Sequence, residues 1–125
     1  MGVRVFRVDR DFSKLPYASD CRAIIWPGIG AKYCSLQYFL LKPGESCSAH
    51  RHEKSEDIWY VVRGHGKVID VDTGAEYLVE EGCAVFVEPG TIHQVKSLGP
   101  ENYVDVGGPC PPDLDFYRRA GLLRG

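Results

Sequence analysis

Four side chains in this 125-residue chain have the types and spacing to do chemistry together: His50, His52, Asp57 and His93. His50 and His52 are two residues apart. On extended backbone, residues i and i+2 point to the same face, so both imidazoles can meet one metal ion. Asp57 follows at the start of a strand-like run and adds a hard oxygen. Glu56 is its neighbour, but strand alternation turns it to the opposite face, so Asp57 is the favoured carboxylate and Glu56 the alternative. His93 comes after Pro89-Gly90-Thr91-Ile92, where a second hairpin can bring it beside the first pair. Three imidazoles and a carboxylate suit one divalent transition metal: Fe, Mn, Ni, Zn, Cu or Co. An octahedral ion would keep open positions for water or substrate. No catalytic group beyond these ligands can be named from the sequence. His65, in a Gly-His-Gly turn, reads as surface. Cys47, three residues before His50, reads as a buried structural thiol.

These ligands need a scaffold of short strands. Turn signals recur at Pro27-Gly28, Pro43-Gly44, Gly64-His65-Gly66, Asp72-Thr73-Gly74, Glu81-Gly82, Pro89-Gly90 and Gly107-Gly108-Pro109. Between them lie Val-, Ile-, Tyr- and Phe-rich runs over 33–41, 57–62, 67–71, 84–87 and 103–106. Short β-type runs at such spacing predict an all-β sandwich or barrel. The Gly64-His65-Gly66 break predicts a hairpin between its flanking strands. Both faces of 57–62 carry bulk, which predicts a central strand covered on both sides. The alternation in Met1–Val8 predicts an N-terminal strand. At the other end, Asp113 to Leu122 carries acids early, arginines late and Gly121 near its end, which predicts a short helix. Of the strand aromatics Tyr33, Tyr38, Phe39, Trp59, Tyr60 and Phe86, most are expected in the core. Trp59, Phe86, Gln37 and Arg63 are candidates to line a pocket around the metal.

These residues resemble a known family, the small single-domain cupins. The first cupin motif matches Gly44, five residues, His50-Arg51-His52, four residues, Asp57, six residues and Gly64. The second matches Gly82, five residues, Glu88-Pro89-Gly90, two residues, His93, three residues and Ser97. The chain departs from the family pattern at three positions. Asp57 replaces a glutamate, Glu88 a proline and Ser97 an asparagine; the last two are expected at the barrel rim. The resemblance implies a cupin double-stranded β-helix, a jelly-roll-like barrel with a short C-terminal helix, forming one domain over 1–125 with its motifs at 44–64 and 82–97. It further implies a mononuclear metal-dependent enzyme acting on a small organic molecule, with dioxygenase-like chemistry foremost. The alternatives are a metal-dependent isomerase, decarboxylase or lyase, or a non-catalytic module binding a small molecule or sugar. Small cupins also pair through their N-terminal strands, so a homodimer is expected.

Composition narrows the partners. The chain is 44% hydrophobic and 26% charged with a formal net charge of -2, which is globular and offers no basic surface for nucleic acid. No apolar run approaches the roughly 20 residues of a membrane-spanning helix. Five cysteines, none in a Cys-x-x-Cys pair, read as free thiols in a reducing cytoplasm.

Overall fold

The computed structural model describes residues 2–124, so Met1 of the expected N-terminal strand lies outside the described residues. Nine strands and one helix follow in order: β1 (Ser13–Leu15), β2 (Asp20–Ile25), β3 (Leu36–Leu41), β4 (Glu56–Arg63), β5 (His65–Asp70), β6 (Glu76–Glu80), β7 (Ala84–Val87), β8 (His93–Ser97), β9 (Tyr103–Cys110) and α1 (Leu114–Arg119). They form two antiparallel sheets, of order β1-β2-β3-β9-β4-β7 and β6-β5-β8. This is the expected double-stranded β-helix. The inner faces of the two sheets meet over Leu41, Cys47, Trp59, Val61, Val68, Val79, Val87, Val95 and Tyr103. A second cluster of Leu15, Cys21, Ala23, Trp26 and Tyr117 seats α1 against the first strands.

Positioning of the site depends on two pairings. In the larger sheet, β4 runs against β9 with Asp57 opposite Pro109, Trp59 opposite Gly107 and Val61 opposite Asp105. Asp57, Trp59 and Val61 therefore all point into the barrel. Next to the smaller sheet, the segment from Glu45 to His50 runs along β8 although most of it is irregular. Cys47 N donates to Val95 O at 3.0 Å, and His50 and His93 exchange both backbone bonds at 3.0 and 2.9 Å. That exchange fixes His50 directly across from His93.

Several local expectations are corrected. Gly64 joins no hairpin, because β4 and β5 belong to different sheets. It turns a corner at φ +85°, and a Cβ there would meet Asn102 O at 2.4 Å. Strand β4 is covered on one face only: Ile58, Tyr60 and Val62 are exposed because none of the described residues covers them. Residues 2–8 form no strand, since no strand among the described residues pairs with them; Val3 and Val5 are exposed, and Arg22 reaches Val8 O from the barrel. Ser97 lies fully buried at the end of β8 rather than on the rim. Tyr33 and Phe86 are likewise exposed, not core. The helix is present but shorter than expected, with Asp113 as its N-cap and Gly121 at φ +77° beyond its end.

Candidate metal centre

His50, His52, Asp57 and His93 each offer a ligand atom within 4.8 Å of the others. The irregular segment beside β8 brings His50, β8 itself brings His93, and the first inward position of β4 brings Asp57. His52 lies past the strand-like segment and is anchored by its own carbonyl, which accepts from Gly90 N at 2.8 Å. Asp57 Oδ2 sits 3.4 Å from His52 Nε2 and 3.3 Å from His93 Nε2. Glu56 points outward and is exposed, as strand alternation requires.

The rings are held by their other nitrogens. His50 Nδ1 lies 2.8 Å from Ser48 O and His93 Nδ1 lies 2.9 Å from Thr91 O. Backbone carbonyls only accept, so each Nδ1 must carry the proton and each Nε2 keeps its lone pair. His52 Nδ1 lies 2.7 Å from Asp113 Oδ2, which imposes the same tautomer. Three Nε2 lone pairs therefore converge with one carboxylate oxygen. His93 Nε2 is buried and has no partner in hydrogen-bonding geometry. A buried polar atom left in that state normally has an ion or water to satisfy it. Both the donor set and the orphaned nitrogen fit a divalent transition metal.

Electrostatics agree with this polarity at His50 and Asp57, whereas burial of the His52 ring is outweighed by Asp57 and Asp113, which hold it above its ordinary value. Burial pushes the His50 ring down to about 4, so it is neutral near pH 7. Burial acts to raise the Asp57 carboxyl, but His52 and His93 overcome it and hold the group below its ordinary value. The His50 shift predicts an acid sensitivity of the metal-free protein. Its folded value lies below the unfolded value near 6.5, so the unfolded chain binds the extra proton first. Compared with a His50→Gln variant, metal-free wild type should lose stability as the pH falls from about 6.5 towards 4. Parallel melting curves for the two proteins across that window would refute the assignment.

Asp113 is the functional residue that sequence reasoning missed. It was legible only as a helix start, and its Oδ1 does accept from Asp115 N at 3.1 Å. Its second oxygen orients His52 from a position 61 residues away in the chain. Phe116, one turn on, packs edge-on against His52 with ring centres 5.7 Å apart. An Asp113→Ser variant keeps a capping side chain but loses the His52 contact. It should weaken metal binding about 10- to 100-fold with little change in folding, as read by competition with a chelator.

A cavity of about 70 Å³ adjoins all four residues and is walled by Trp59, Gln37, Phe116 and Asp105 among others. Gln37 and Trp59 thus take the pocket positions expected of them, whereas Phe86 and Arg63 do not. Phe86 instead lines an open cleft of about 500 Å³ between β7 and the β5–β6 pair, which touches the cluster only through His93.

The double-stranded β-helix with converging imidazoles inside it defines a class, the barrel proteins that hold a ligand or metal within their sheets. Residues 37–106 match the family described as Cupin domain, and the chain belongs to that family. Among curated relatives, it is 30% identical over 59 residues to the oxalate-binding protein of Thermotoga maritima, covering 47% of each chain. It is 34% identical over 79 residues to the tetracenomycin polyketide synthase protein TcmJ of Streptomyces glaucescens, covering 62% of this chain and 52% of that one. The matches therefore span about half the length of these two relatives. The structure of the polyketide cyclase RemF from Streptomyces resistomycificus superposes with a TM-score of 0.70 at 26% identity, covering 90% of this chain and 83% of RemF.

Proposed function

We propose that His50, His52, Asp57 and His93 hold one divalent transition metal, and that the protein acts there on a small oxygen-bearing organic molecule. The observation that carries this reading is the convergence of three tautomer-locked Nε2 atoms and one carboxylate within 4.8 Å. An ion bound there would supply Lewis-acid polarisation of a substrate oxygen or, if redox-active, dioxygen chemistry. The protein's own part is to exclude water and orient the substrate. The 70 Å³ cavity admits a small acid or one end of a larger molecule. Dioxygenase-like turnover is the first reading. Cyclisation or isomerisation through an enolisable carbonyl is the second, favoured by the 26% identity to the cyclase RemF over 90% of the chain.

Elemental analysis of the untagged protein, purified without chelator, tests the centre. Near-stoichiometric metal is the expected result, and none after reconstitution would retire the reading. Iron or copper, with dioxygen uptake over a panel of small acids, phenols and diketones, supports the oxygenase reading. Zinc, manganese or nickel, with turnover unchanged in the absence of air, supports the second. Metal occupancy with no product on the panel would point to a binding module.

The same proposal extends to assembly and location. Residues 2–7 carry no regular secondary structure and leave Val3 and Val5 exposed, as an arm laid on a second copy would be. Light scattering should give twice the 13.9 kDa chain mass, and a monomer mass would refute the dimer. The free thiols suit a reducing compartment, and the cytoplasm is the proposed location.

A further inference from the structure

One buried ionisable pair has no part in holding the metal. Asp105 and Tyr103 are neighbours on the inner face of β9, and the Tyr103 hydroxyl donates to Asp105 Oδ2 at 2.7 Å. Asp105 is 7% exposed and Tyr103 is fully buried. Asp105 nevertheless lines the same cavity as the four-residue cluster. No second hydrogen bond reaches its carboxyl among the described residues. No Lys or Arg lines the cavity there either, so an Asp105 carboxylate would be uncompensated beside Asp57. Trp59 walls the same cavity, with its buried Nε1 turned towards the Tyr103 hydroxyl.

We propose that Asp105 reads the ligand: as a neutral carboxylic acid it donates a hydrogen bond to the far oxygen of a small acid held at the histidine cluster. The proposal rests on the metal-centre reading above. Its chemistry is acceptor recognition. Tyr103 uses its hydrogen on Oδ2, which leaves the acid proton of Asp105 free for the cavity. A ligand oxygen satisfies this otherwise unmatched donor, whereas a methyl group in its place leaves it unmatched. The site therefore selects small oxo, hydroxy or dicarboxylic acids over aliphatic monoacids of the same size.

The acid form follows from the surroundings. Burial and the nearby Asp57 charge push the Asp105 carboxyl up to about 8, against the pull of Tyr103. The other titratable groups facing it are Tyr103, Cys21 and Cys47. Burial drives the Tyr103 hydroxyl far upward, pushes Cys21 up to about 12 and raises Cys47. None of those three changes charge near pH 8.

The probe is oxalate, the smallest acid with an oxygen function at both ends, titrated by calorimetry into metal-loaded protein. Metal content is measured for each variant. Asp105→Leu should weaken oxalate about ten- to a hundredfold while keeping its metal. Asp105→Asn, which still donates, should stay within about threefold of wild type. Equal affinity in Asp105→Leu and wild type, both with metal bound, would overturn this inference and leave the metal centre standing. Absence of metal from wild type would overturn both, and metal-loaded wild type that ignores oxalate would overturn this one. If Asp105→Leu does not fold, pH decides. Wild-type affinity should fall relative to Asp105→Asn as the pH rises and Asp105 loses its proton, and parallel profiles would overturn the inference.

Discussion

Replacing His50 and His93 together by alanine should leave a folded barrel that no longer retains metal. The two rings face each other across the exchanged backbone bonds of the 45–50 segment and β8, with centres 4.4 Å apart. Those bonds belong to the main chain and survive the substitution. What disappears is two of the three imidazole lone pairs. If a four-ligand site is worth roughly 10–16 kcal/mol, each ligand carries about 3 kcal/mol, and losing two lowers affinity on the order of ten-thousandfold. His52 and Asp57 alone could not hold an ion against a mild chelator. The measurement is metal content after dialysis, beside circular dichroism to show that the sheets remain. Metal retained at wild-type stoichiometry would mean that these imidazoles are not ligands. Turnover, once a substrate is known, should vanish with the metal.

The second large effect concerns a residue with no side chain. Gly107 lies opposite Trp59 where β9 pairs with β4. A Cβ at Gly107 would sit 2.0 Å from Ile58 O and 2.5 Å from Trp59 Cα. Both are backbone atoms of the adjoining strand and cannot swing aside. Gly107→Ala should therefore force β4 and β9 apart at the pair just inside Asp57. We expect a loss of about 3 kcal/mol or more, the upper end for overpacking. For a domain of this size that lowers Tm by roughly 10–20 °C. Metal affinity should fall with it, because Asp57 is carried by the same strand. Thermal melting with and without metal checks both, and an unchanged Tm would show that the strands accommodate the methyl. Gly66 tests the same logic against a side chain, since its Cβ would meet the fully buried Tyr103 ring at 2.8 Å.

Much of this was legible in the chain itself. The spacing of His50, His52 and His93 and the alternation that separates Asp57 from Glu56 depend on local geometry, and the structure brings those four residues together as expected. The turn residues marked where strands end, because glycine and proline act on their own backbone. Errors arose where the outcome depended on what a segment packs against. The bulk on both faces of β4 carries no sign of which face finds a cover. The Gly64 turn looks the same whether the next strand folds back or leaves for the other sheet. Residues 2–8 alternate like a strand but have no pairing partner among the described residues.

By itself, then, the sequence determined the fold class, the donor chemistry and the face on which each donor sits, because these follow from residue type and a period of two. Only the tertiary structure decided which distant groups complete the site. Asp113 reaches His52 because α1 is seated by Tyr117, whose hydroxyl donates to Gln37 Oε1 at 2.8 Å. Asp105 and Trp59 share the cavity because β9 and β4 pair in one register and no other. Such contacts join residues tens of positions apart, and a one-residue slip in register would turn each of them to the opposite face.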